Sequence, residues 1–320
     1  MTEIEEETPR FQIDHSRALL KGVPFTPKIG FDLDSQDSNV LMITLAATLD
    51  DDLDWKREID LAKEAISMGK MVLWELDLGL SERDFSFEDE MGWSSYLLAI
   101  REFEKTIWSA FEEESLGVSF GQISLEFHSF IARFPRDSGI YETPEALHIH
   151  CAKLLSDYLH RLVAELPFDL PAYIRLDISA IKSPTFAAAL ISKEIFEHIQ
   201  VIAKSSSRLF GGISEGGNSE VGFLGSSREL LVAQIALLIP TARQISLSSA
   251  QKLDTIGAQL AAKNLPFRTI PETLFTEQWD GINLAIVLPE LLTPKGERAL
   301  SGFIAAGGEV LRYCGLLPTL

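Results

Sequence analysis

Cysteine is nearly missing from this chain, with only Cys151 and Cys314 in 320 residues. Two thiols allow one pairing at most, too few for a disulfide framework or a thiolate zinc site. Basic residues are scarce as well. Lys and Arg number 28 against 47 Asp and Glu, a formal charge of −19. That balance excludes nucleic acid as the expected partner, because phosphate binding rests on clustered cations. It disfavours an anionic membrane surface for the same reason. Long hydrophobic runs are lacking too: the stretch Leu230–Ile239 is broken by Gln234 and stopped by Pro240, too short to span a bilayer. The acidic start, Met1–Thr8, has no apolar core of a signal peptide, so a cytoplasmic protein is expected. There is no G-x-x-x-x-G-K-[ST] loop and no G-x-S-x-G elbow. The pairs Gly211-Gly212 and Gly216-Gly217 lack the strand-to-helix setting of a dinucleotide site. No cofactor is expected.

What remains is an apolar fraction of 46%, enough for a large core, arranged in alternating helical and extended patterns. Residues 1–22 read as a loose acidic segment. Asp54–Met68 reads as a helix with Ile59, Ala62 and Ile66 on one face, Asp52 as its cap and Gly69 as its end. Trp93–Glu114 carries the stripe Tyr96, Ile100, Phe103, Ile107 and Phe111. Thr143-Pro144 opens a helix with Leu147, Cys151, Leu154, Tyr158 and Leu162 inward, and Ser183-Pro184 opens another. The glycine-rich stretch Gly211–Gly225 is the expected domain boundary, followed by a capping box, Ser226 with Glu229.

Four expected strands alternate at period two. In Lys28–Asp34, Asp32 and Asp34 oppose Ile29, Phe31 and Leu33. In Met71–Leu78, Glu75 and Asp77 oppose Val72, Trp74 and Leu76. In Gln122–Ser129, Ser124, Glu126 and His128 oppose Ile123, Leu125 and Phe127. In Ala172–Ala180, Tyr173, Arg175, Asp177 and Ser179 oppose Ala172, Ile174 and Leu176. A (β/α) barrel puts such charges at the C-terminal mouth of its strands, where active sites lie. Paired carboxylates there are what glycoside hydrolysis requires, one protonating the leaving oxygen and one attacking or activating water. On this reading Glu126, Glu75 and Asp177 are the candidate catalytic groups. Asp77, His128, Arg175, Asp32, Asp34 and Glu215 are candidate substrate-binding groups. A carbohydrate or other small molecule is the expected ligand, and a homo-oligomer is compatible with the sequence.

Alternatives stand beside this. The same alternation describes an antiparallel sheet with one solvated face. The acidic cluster, Asp32, Asp34, Glu75, Asp77 and Glu126, also has the oxygen chemistry of a Mg²⁺ or Ca²⁺ site, although no metal is the leading expectation. Trp74 falls on the helix-facing side of its strand and reads as core; Trp93 is an aromatic candidate for sugar stacking. His148 and His150 are two apart on a helix and make a poor metal pair.

The last third is a compact run of short connections. Gln244–Ser248, Phe267–Ile270, Ile282–Leu288 and Val310–Tyr313 read as strands. Ala250–Lys263, capped by Ser249, and a helix opened by Thr293-Pro294 and ended by Gly307-Gly308 lie between them. This is the pattern of an open doubly wound sheet. The stretch WDGINLAIVLPELLTPKGERALSGFIAAGGEVL resembles the class I glutamine-amidotransferase-like domain of family 42 β-galactosidases. The nucleophilic cysteine of amidotransferases has no match, since neither Cys151 nor Cys314 stands in a glycine-flanked elbow. The resemblance implies a trimer-assembly role for this unit and a catalytic barrel upstream.

The fold expected is therefore α/β: a (β/α) barrel-like domain over 23–225, too short to be complete, and a small flavodoxin-like domain over 226–320. A single eight-unit barrel over the whole chain is the alternative. The function expected is carboxylate-based hydrolysis of a glycosidic bond, or a degenerate relative of such an enzyme. The alternative is a non-catalytic binding or assembly protein of the same architecture, favoured by the short barrel and by the lack of an Asn-Glu pair at a strand end.

Overall fold

Parallel strands buried on both faces need helices between them, and that requirement organises the chain. The computed structural model describes residues 11–14, 17–21, 23–25, 27–35, 37–47, 54–77, 90–123, 144–167, 170–177, 200–204, 222–224, 233–240, 247–263, 265–315 and 317. The chain starts with an antiparallel meander, β1 (Phe11–Asp14), β2 (Arg17–Leu20) and β3 (Val23–Pro24). Against the loose N-terminus expected over 1–22, residues 11–14 and 17–20 are therefore strands.

The main sheet follows chain order. β4 (Ile29–Gly30), β5 (Val40–Ala46), β6 (Met71–Asp77), β7 (Ser115–Ile123), β8 (Ala172–Asp177) and β9 (Gln200–Lys204) each pair parallel with the next. β10 (Gly222–Leu224) closes the row antiparallel to β9, so this part of the expected glycine-rich boundary belongs to the first sheet. The crossovers are α1 (Lys56–Ser67), α2 (Glu90–Phe103, continued as a π-turn over Glu104–Trp108) and α3 (Pro144–Val163). Consecutive parallel neighbours are the order of a barrel wall, and the row is curled. The Phe31 ring, just past β4, lies 5.3 Å from the Arg175 guanidinium on β8. In a flat sheet the four steps from β4 to β8 would span about 19 Å, at about 4.8 Å each. The structure is thus an incomplete (β/α) barrel.

The two faces of this wall carry different cores. Leu41, Ile43, Leu45, Val72, Trp74, Leu76, Val118, Phe120, Ala172 and Ile174 face the helices. Inside the curl, Ile29, Val40, Met42, Leu73, Leu116 and Tyr173 form a separate apolar cluster, against which Leu20 and Phe25 pack. Trp74 is fully buried on the helix side, its Nε1 donating to Ser115 Oγ at 2.9 Å, as its position in the alternation predicts.

The first sheet departs from the sequence expectation at three strands. β5 was not anticipated, because VLMITLA is almost continuously apolar and shows no alternation. Lys28–Asp34 is a strand only at Ile29–Gly30; beyond it the chain turns, with Ser35 N donating to Asp32 O at 3.3 Å. β7 lies at Ser115–Ile123, upstream of the expected Gln122–Ser129, whose residues 124–129 lie outside the described set. Two glycine bulges hide its period. Gly117 has φ +133° and Gly121 φ +64°, and pairing slips by one residue between Val72 and Trp74 and again between Ser119 and Gln122. At Gly117 a Cβ would overlap the Pro171 carbonyl oxygen.

The chain does not close the barrel with its last third. β11 (Ile235–Ile239), β12 (Phe267–Pro271), β13 (Leu284–Val287) and β14 (Glu309–Arg312) form a second, all-parallel sheet in the order β12-β11-β13-β14. This reversal of winding is doubly wound, and it overturns the single eight-unit barrel. Its helices are α4 (Leu247–Ala262), a short α5 (Phe275–Gln278) and α6 (Pro294–Ala305). The expected strand Gln244–Ser248 is corrected: Leu247 and Ser248 are helical, Ser249 lies within α4 rather than capping it, and Ile235–Ile239 supplies the strand. Thr293 caps α6 as expected, its Oγ1 accepting from Gly296 N at 3.0 Å, and Gly307 ends that region at φ +96°. The cap expected of α1, Asp52, lies outside the described residues, as do the capping box Ser226/Glu229 and the helix at Ser183-Pro184. No helix among the described residues is long and apolar enough to cross a membrane.

Candidate functional site

Strand pairing inside the curl sets side chains in layers, because directly paired residues on adjacent strands share a face. One such layer runs Thr44, Glu75, Ser119 and Tyr173 across β5 to β8. Below it lies the apolar cluster of Leu73, Met42 and Leu116. Tyr173 belongs to that floor: its hydroxyl donates to Leu116 O at 3.0 Å, and full burial pushes its ionisation upward. Glu75 is the turning point between floor and mouth.

Glu75 is 2% exposed and meets Arg175 side on. Arg175 Nη2 donates to Glu75 Oε1 at 2.7 Å, and Thr44 Oγ1 donates to the same oxygen at 3.1 Å. Arg175 Nε lies 2.6 Å from Glu75 Oε2. The Nε–H is not aligned on that oxygen, so the second contact is an ion pair without a hydrogen bond. Burial raises the Glu75 carboxyl above its ordinary value; the Arg175 charge and the hydrogen bonds from Arg175 and Thr44 oppose that rise, and the neighbouring Asp77 charge adds to it. Arg175 in turn lies beneath the ring of Phe31, which is 40% exposed at the mouth. Asp77 sits one step beyond Glu75 on the same face of β6 and is exposed.

Phe31 is held in place by a lysine that sequence reading passed over. Lys70 is buried before β6, and its Nζ donates to Leu33 O (2.7 Å), Ser35 O (3.0 Å) and Ser38 Oγ (2.9 Å). These bonds fix the turn that follows β4. Asp32 and Asp34 lie on that turn with exposed side chains rather than on a strand face. The structure does not gather them with Glu75 and Asp77 into a cation site. Among the described residues no group of three or more His, Cys, Asp or Glu is placed to hold a metal ion.

The other candidates divide simply. Asp177 ends β8, paired with Lys204, and its side chain is outside the described set. Glu126, His128 and Glu215 lie outside the described residues. Trp93 is covered on one face by Arg161, whose guanidinium carbon is 4.0 Å from the ring centre, and meets Tyr158 edge-on at 5.3 Å. It is a packing residue between α2 and α3. The groups that sequence reading missed are Thr44, Ser119, Phe31 and Lys70. Thr44 is the one polar side chain in an apolar strand, a signal that was available. Ser119 was hidden by the bulges.

A doubly wound sheet binds ligands at the C-terminal ends of its strands, commonly with an anion at a helix N-terminus. Here a protein carboxylate already takes that position. Glu272, just past β12 and 3% exposed, accepts from Thr293 N at 3.2 Å through Oε2. Gly296 makes room for it, since a Cβ there would overlap Glu272 Oε2. The start of α6 is therefore filled from within.

No family model matches the chain, and no curated protein matches it. Among solved structures it is similar to an exo-β-1,4-mannosidase from an Opitutaceae bacterium (strain TAV5). That match has a TM-score of 0.43 and 10% identity, covering 93% of this chain and 79% of the other. A likeness at that level carries nothing about chemistry, and the incomplete barrel rests on the strand pairing and on the Phe31–Arg175 contact across its curl.

Proposed function

We propose that this chain is a glycoside-hydrolase-like protein whose barrel mouth binds a carbohydrate without cleaving it. The Glu75–Arg175 pair carries the reading. Hydrolysis at such a mouth needs one carboxyl free to give a proton and another free to attack or activate water. Glu75 is instead clamped by Arg175 at 2.6 and 2.7 Å and bonded by Thr44. A charge pair of that geometry braces β6 against β8 and keeps the mouth open above the apolar floor. The exposed Phe31 ring offers a stacking face for a sugar ring. Asp77 at the rim, and Asp177, Glu126 and His128 in this reading, accept or donate to sugar hydroxyls. The resemblance of the last third to an assembly domain fits a binding protein as well as an enzyme.

One observation favours the hydrolytic alternative. Burial raises the Glu75 carboxyl, and a raised carboxyl is what a general acid requires. Two assays on the full chain separate the readings. Isothermal titration with a panel of neutral oligosaccharides should show binding that weakens on Phe31→Ala and Asp77→Asn. Aryl glycosides of the same sugars should show no turnover above the buffer rate. Turnover that disappears in Glu75→Gln or Glu126→Gln would establish the hydrolase instead, and absence of binding across the panel would remove the carbohydrate reading.

A further inference from the structure

Three polar atoms near the centre of the curl are buried without a hydrogen-bond partner among the described residues: Glu75 Oε2, Arg175 Nε and Ser119 Oγ. They are neighbours. Ser119 is paired directly with Glu75 across β6 and β7 and is fully buried, and Arg175 Nε is 2.6 Å from Glu75 Oε2. Leaving a buried hydroxyl or charged group unbonded is costly, which is why such atoms in folded proteins are almost always satisfied. Their chemistry is complementary around one point: Arg175 Nε–H donates, the carboxylate oxygen accepts, and the serine hydroxyl does either.

We propose that these three groups form a hydroxyl-binding site at the heart of the incomplete barrel. Its occupant is one oxygen that accepts from Arg175 Nε–H and Ser119 Oγ–H and donates its own proton to Glu75 Oε2. An internal water has this capacity, and three bonds is its usual number. The hydroxyl of a polyol has it too. The glycine bulges of β7 build the site, because the slips at Gly117 and Gly121 set the register that places Ser119 between Glu75 and Tyr173. The site does not depend on whether the mouth binds a carbohydrate.

The sign of one substitution tests it. If the hydroxyl is satisfied by a guest, Ser119→Ala removes a bond and the melting temperature falls. If the hydroxyl is buried dry, the same change removes an unpaired polar group and the melting temperature rises or stays unchanged, which overturns the proposal. A high-resolution crystal structure of the wild-type chain should show an oxygen within ~2.6–3.2 Å of both Ser119 Oγ and Glu75 Oε2. A dry centre, or a protein side chain filling that point, overturns it whatever the melting curve shows. Glycerol then distinguishes the source. A larger thermal gain with glycerol in wild type than in Ser119→Ala assigns a polyol hydroxyl, and an equal gain assigns water. Failure of the oligosaccharide titration leaves this site untouched, so the two proposals fail separately.

Discussion

Replacing Arg175 by methionine keeps an unbranched stem as far as about the Nε position and removes the charge, leaving the Glu75 carboxylate buried with Thr44 as its remaining hydrogen-bond donor. The two charges are 2% and 15% exposed, so water screens them little. With contacts of 2.6 and 2.7 Å, their charge centres lie about 4 Å apart, and an effective dielectric of about 20 gives an attraction of about 4 kcal/mol. Removing one partner of such a pair typically costs ~3–5 kcal/mol, because the other is left uncompensated. The cost must depend on pH in a defined direction. Burial already places the folded-state Glu75 carboxyl above its ordinary value of 4.5. The folded state therefore holds this proton more tightly than the unfolded chain, and the group's contribution to stability falls as pH rises through the interval between the two values. Arg175→Met raises the folded value further and widens that interval. Urea denaturation should show the full loss near neutral pH and a smaller loss as pH approaches 4.5. The double variant Glu75→Leu/Arg175→Met should recover most of it, since replacing both charges leaves nothing unpaired. A loss below about 1 kcal/mol in the single variant, a loss equal at both ends of the pH range, or a double variant no better than the single would refute the reasoning.

Further outcomes follow from the second sheet and the thiols. Thr293→Ala removes the cap of α6 and should cost ~1 kcal/mol in urea denaturation; no loss would mean that Glu272 alone satisfies the first turn. Gly296→Ala improves helix propensity by about 1 kcal/mol, yet it should destabilise by ~1–3 kcal/mol because its Cβ meets the Glu272 carboxylate. Stabilisation instead would show that Glu272 moves aside freely. Cys314 is exposed, whereas Cys151 is buried and its thiol is pushed up to about 12. Alkylation followed by mass spectrometry should therefore modify Cys314 in the folded protein and Cys151 only after unfolding. Equal labelling rates would contradict the packing of α3.

Local signals were readable wherever one face is wet and the other dry. The alternation in β6 and β8 identified Glu75 opposite Trp74 and Arg175 opposite Ile174, and both charged residues do point into the curl. Thr293, Gly69 and Gly307 announced helix ends through backbone chemistry that needs no tertiary context. The signals failed where that contrast vanishes. β11 is buried on both faces, as β5 is from Val40 to Ile43, so their apolar runs carry no period. In β7 the bulges at Gly117 and Gly121 shift the period midway, which moved the expected strand downstream. The turn at Asp32 and Asp34 alternated by coincidence, and Lys70 bends it through bonds to residues more than thirty positions away.

By itself the sequence determined the α/β class, the doubly wound last third and the inward faces of Glu75 and Arg175. Those follow from propensity, capping and periodicity, which act over a few residues. The tertiary structure alone decided that the last third forms its own sheet instead of completing the barrel, and that Phe31 reaches Arg175 across the curl of the first sheet. It alone decided that Glu75 is clamped rather than free, because the bond from Arg175 spans 100 positions. A carboxylate's role depends on burial and on the charge beside it, and both are set by contacts between distant segments that no local pattern encodes.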